Sequence, residues 1–79
     1  MTIELRNESK NVFVDISSEM YREYVYQNGT VVIEGPQWLS VSNSGGHRIL
    51  DNQGVSHYIP PGWIHLFWKV PDDKPHFVK

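Results

Sequence analysis

Apolar and polar residues alternate along most of this chain. Ile3 and Leu5 stand between Thr2, Glu4 and Arg6, positions 7–11 (NESKN) are polar, and Val12, Val14 and Ile16 resume the period of two. No stretch keeps apolar residues at i, i+3, i+4 and i+7 through two or three helical turns, so the pattern predicts strands. The clearest element is YREYVYQNGTVVIE, positions 21–34, in which Asn28-Gly29 separates two aromatic and β-branched runs. Both turn residues tolerate the positive φ of a type I′ hairpin. Centred there, the hairpin sets Tyr26 opposite Val31, Val25 opposite Val32, Tyr24 opposite Ile33 and Glu23 opposite Glu34.

Gly35-Pro36 ends that run. QWLSVS predicts the next strand, NSGG a loop, HRIL a strand and DNQG a turn; VSHYI and WIHLFWKV then flank a Pro60-Pro61-Gly62 corner, and HFV predicts a terminal strand. One helical turn is expected near SSEMY, capped by Ser17 or Ser18. Pro61 followed by Gly62 meets the φ demands of a type II turn. Read as a hairpin, the corner puts Val55, His57, Ile59, Ile64, Leu66 and Trp68 on one face, and Tyr58, Trp63, His65 and Phe67 on the other. A slip of one residue would bring His57 and His65 together. Seven to eight short strands, with turn signals every eight to twelve residues or so, predict an all-β fold: one small barrel or sandwich over residues 1–79.

Size and charge narrow the functions this fold can serve. A chain of 79 residues hides only about 60% of its unfolded surface on folding, and it has no cysteine to crosslink it. Small domains without disulfides draw stability from a metal or from a partner subunit. A homo-oligomer is therefore expected, with a strand edge or an aromatic face at the interface. Seven Lys and Arg against nine Asp and Glu give a net charge of −2, with the basic residues scattered from Arg6 to Lys79. Neither nucleic acid nor an anionic membrane is an expected partner. With no long apolar run and no apolar core near Met1, the expectation is a soluble, cytoplasmic protein of bacterial or viral type.

Candidate chemistry is sparse. Trp38, Tyr58, Trp63 and Phe67 are the candidate ligand-stacking or interface residues, although a small β-domain also needs aromatics for its core. His47, His57 and His65 are candidate ligands for a divalent transition metal, through neutral imidazoles on neighbouring strands. Glu23 opposite Glu34 would be a carboxylate pair suited to acid–base work. Nothing in the chain forms a Gly-x-Ser-x-Gly elbow, and nucleophilic catalysis has no motif here.

Gly54, Pro60, Gly62 and His65 are separated by five, one and two intervening residues, which resembles the second signature motif of the cupin family. Lys69 stands where that motif has an Asn, and no histidine precedes His47. Glu23 and the YVYQNGTVVIEG that follows it loosely resemble part of the first motif. The resemblance implies a jelly-roll barrel in which His65 points inward as a metal ligand, in an enzyme or a sugar-binding protein. The reading placed first is a non-enzymatic module that binds a protein partner or assembles with itself, with no cofactor; a metal-stabilised structural domain is the third.

Overall fold

The computed structural model describes residues 12–71 and His76. The predicted strand at Ile3 and Leu5 lies outside them, as do Phe77 and Val78 of the predicted terminal strand. Among the described residues seven strands form: β1 (Val14–Asp15), β2 (Tyr21–Tyr26), β3 (Gly29–Glu34), β4 (Pro36–Val41), β5 (His47–Asp51), β6 (Ser56–Ile59) and β7 (His65–Lys69). They make two antiparallel sheets. Sheet A has the order β1-β4-β5-β6 and sheet B the order β3-β2-β7, so the domain is the small all-β sandwich that the period of two predicts.

The chain changes sheets three times, each time at a local break in the alternation. Between β1 and β2 the predicted helical turn is absent. Asp15 Oδ1 instead accepts from the Ser17 backbone N–H at 2.8 Å and the Ser17 hydroxyl at 2.6 Å, and Asp, not Ser, heads the turn. Between β3 and β4 a single residue, Gly35, makes the corner at φ 59°. Its N–H donates to Met20 O and its carbonyl accepts from Asn52 N–H. The third change is the Pro60-Pro61-Gly62 segment, which is a crossover and not a hairpin: β6 pairs with β5, and β7 pairs with β2 in the other sheet. Two prolines remove two N–H donors from any ladder there. The Tyr26 hydroxyl donates to Pro60 O at 2.6 Å, and Ile64 N–H donates to Val25 O at 2.8 Å, which docks the crossover on β2.

The β2–β3 hairpin exists, but two residues out of the predicted register. Tyr26 pairs with Gly29, Tyr24 with Val31, Glu23 with Val32 and Tyr21 with Glu34, so Gln27-Asn28 forms the loop. Like charges directly opposite one another destabilise a strand pair, and this register separates Glu23 from Glu34. The carboxylate pair that the predicted register would set side by side is therefore not formed. A shift of two preserves which face each side chain occupies.

The core lies between the sheets. Ile16, Tyr24, Ile33, Leu39, Ile49 and Ile59 are buried there, with Val14, Tyr26, Trp63 and Leu66 packed against them. Gly46, buried one residue before β5, lies so close to β6 that an added Cβ would sit 2.5 Å from the Tyr58 hydroxyl and 2.8 Å from the Ile59 carbonyl oxygen. The tyrosine tip can swing aside, but the backbone carbonyl cannot. Gly46→Ala is expected to cost about 1–3 kcal/mol through overpacking, a fall in Tm of at least about 4 °C in a domain of this size, read by thermal denaturation.

Candidate functional site

One line of polar side chains crosses the core. Arg22 faces inward from β2, fully buried, because it shares the face of Tyr24 and Tyr26. Its Nε donates to Glu19 Oε1 at 2.6 Å and its Nη2 to Glu19 Oε2 at 2.8 Å, a two-pronged pair between side chains with no solvent exposure. Nη1 donates to the Tyr24 hydroxyl at 3.3 Å, and that hydroxyl lies 2.7 Å from His47 Nδ1. At the other end His76 Nε2 lies 2.8 Å from Glu19 Oε2, and the Trp68 indole, under the Arg22 guanidinium at 4.6 Å, donates to His76 O. Burial opposes the Arg22 charge, but the hydrogen bonds to Glu19 and Tyr24 outweigh it and hold the guanidinium pKa above its usual value. Burial likewise raises the Tyr24 phenol. A sealed guanidinium–carboxylate pair offers no room for a substrate, so this line is structural. Sequence reading missed it. The available signal was Arg22 sharing alternation parity with two tyrosines, three residues after an acid.

The three candidate histidines do not converge. His47 is buried, with its ring 4.7 Å from Trp63 and 5.5 Å from Tyr24. His57 is half-buried on β6, and its Nε2 lies 2.8 Å from Asp51 Oδ2. His65, which the cupin resemblance turns inward, lies exposed on the outer face of sheet B with its ring 5.2 Å from Phe67. Among the described residues no group of three or more His, Cys, Asp or Glu is placed to hold a metal ion.

Asp51 does have an electrostatic role. The hydrogen bond from His57, reinforced by the Val55 and Gln53 backbone N–H groups, holds its carboxyl below the ordinary value of 3.8. A depressed folded pKa adds stability that is fully present above the unfolded pKa and is lost as pH falls through the folded one. Asp51→Asn is therefore expected to make the acid limb of the stability curve shallower without altering its shape above neutrality. Thermal melts from about pH 9 down to the acid transition measure this.

The four aromatic candidates divide between core and surface. Trp63 belongs to the core, with its ring 5.0 Å from Tyr24. Phe67 lies on the outer face of sheet B, edge-on to Tyr21 at 6.4 Å. That face also carries Glu23, Glu34 and Lys69, the composition of a solvated surface. Trp38 and Tyr58 come together with other apolar groups on the outer face of sheet A. There Phe13, Trp38, Leu50 and Tyr58 remain 53%, 44%, 38% and 51% exposed. They border a depression of about 680 Å³ that Ser40 and Arg48 also line. Tyr58 is held in place by its hydroxyl, 2.8 Å from Ser44 Oγ. Ser40 is buried beneath this face, and among the described residues its Oγ has no hydrogen-bond partner. Phe13, Ser40 and Leu50 were not singled out from the sequence; outward parity on the strand that carries Trp38 or its neighbours was the signal.

No family model, no curated protein and no solved structure matches this chain.

Proposed function

We propose that this chain is a small non-enzymatic binding module that works by protein–protein contact and associates with itself, using the outer face of sheet A. The observation that carries this reading is the exposed set of Trp38, Leu50, Tyr58 and Phe13 around one depression. Aromatic residues that stay exposed on a rigid sheet are the residue types that dominate contact energies between proteins. The alternative surface, on sheet B, interleaves its aromatics with charges. The close polar groups are spent elsewhere: Glu19 and Arg22 are sealed in the core, and Asp51 and His57 fasten the β5–β6 turn.

Light scattering across the micromolar range tests this. The chain is expected to run as a dimer or larger species, and Trp38→Glu is expected to return it to a monomer with an unchanged far-UV circular dichroism spectrum. A wild-type monomer across the whole range would remove the self-association, and retained assembly in a folded Trp38→Glu variant would remove this face from it.

A further inference from the structure

We infer that the partner on the outer face of sheet A is a second copy of this chain, docked face to face about a two-fold axis that runs parallel to the strands, midway between β4 and β5. The inference rests on the binding reading above and assigns its partner. Strand register arranges the face as two transverse rows. Asp15, Trp38, Leu50 and Ser56 stand side by side across β1, β4, β5 and β6. In the next row Ser40, Arg48 and Tyr58 stand side by side, and Phe13, one residue before β1, continues that row past Ser40.

A two-fold along the strands exchanges β4 with β5 and β1 with β6. Trp38 then meets the partner's Leu50, and Phe13 meets the partner's Tyr58; Asp15 meets the partner's Ser56, while Ser40 is buried within its own chain and makes no contact. Ring falls on apolar group at two of these pairs and charge on hydroxyl at the third. The other two-fold in the plane of the face, across the strands, exchanges the two rows. It would set Asp15 on the partner's Phe13 and Leu50 on the partner's Arg48, and burying charge against apolar groups without a hydrogen bond is costly. The chemistry of the rows therefore selects the first axis.

The area fits a dimer at the weak end. Strands of two, six, five and four residues, at about 3.3 Å per residue and about 4.8 Å apart, give a face of roughly 270 Å² in projection. Even with the relief of three half-exposed aromatic side chains added on each copy, the pair stays below the roughly 1,200 Å² of stable interfaces, which makes the dimer a transient one. Packed sheets rotate by about 30°, so the pairs nearest the axis, Trp38 with Leu50, keep the closest contact.

The chain has no cysteine, so introduced thiols report this geometry cleanly. Asp15→Cys and Ser56→Cys variants, mixed and treated with a short bismaleimide, are expected to crosslink to each other several-fold more than either does to itself. Phe13→Cys mixed with Tyr58→Cys repeats the test on the second row should the Asp15 change unfold the chain, which circular dichroism reads. Val32→Cys, on the edge strand β3, is expected to stay uncrosslinked. Self-crosslinking by Asp15→Cys, or by Val32→Cys, in a chain that light scattering shows to be dimeric would overturn the inference and leave the binding reading standing. A monomer by light scattering would overturn both.

Discussion

Arg22→Ala is expected to remove most of the stability of this fold, with a loss of about 3–5 kcal/mol. At roughly 0.05–0.15 kcal/mol per residue, the whole domain has on the order of 4–12 kcal/mol to lose. The guanidinium is the counter-charge of Glu19, whose side chain has no solvent exposure. Alanine would strand that carboxylate in the core, vacate the space above Trp68, and take a donor from the Tyr24 hydroxyl. The pair itself is worth little net, because desolvating two charges offsets their attraction. Removing both charges should therefore hurt far less than removing one. Arg22→Met combined with Glu19→Leu is expected to recover most of the lost stability, even though Glu19 also meets His76. Urea titration at neutral pH measures all three proteins. A single variant within about 1 kcal/mol of the parent, or a double variant no better than the single, would contradict this account.

The alternation of apolar residues carried the strands into view and grouped side chains by face, because a period of two is local and survives errors of register; which of the two faces turns inward is decided by the opposite sheet. Trp38 and Tyr58 were named for their aromatic rings alone, in one set with Trp63, and the structure leaves the first two exposed while it packs Trp63 against the core. What the sequence concealed was non-local. Asn28-Gly29 is a strong hairpin signal, yet the loop forms one place earlier, where cross-strand neighbours such as Glu34 and Tyr21 decide the pairing. Pro60-Pro61-Gly62 marks a sharp corner in either reading, and turn chemistry alone does not say whether the next strand returns to the same sheet. The meeting of His76 with Glu19, and of Tyr24 with His47, joins residues 57 and 23 positions apart, a distance no spacing rule reaches. The candidate metal set failed to converge because β6 and β7 belong to different sheets, which sends His57 inward and His65 outward.

Two adjacent residues on β5 separate the core from the proposed contact face. Ile49 is 1% exposed and faces Leu39 and the opposite sheet, whereas Leu50, its neighbour, points outward beside Trp38. Ile49→Ala is expected to cost about 2–5 kcal/mol of folding stability, the transfer energy of the lost methyl groups plus the cavity they leave. Leu50→Ala is expected to change monomer stability by less than about 1 kcal/mol, while it weakens self-association about tenfold or more by withdrawing the group that meets the partner's Trp38. Folding is read by urea titration below the association range, and association by sedimentation across the micromolar range. The two readouts matter jointly. A β5 slipped by one residue would exchange the two phenotypes, because a single step moves every side chain to the other face. Large losses of stability from both substitutions would mean that sheet A is covered on both sides within one chain, and the open face on which the binding reading depends would not exist.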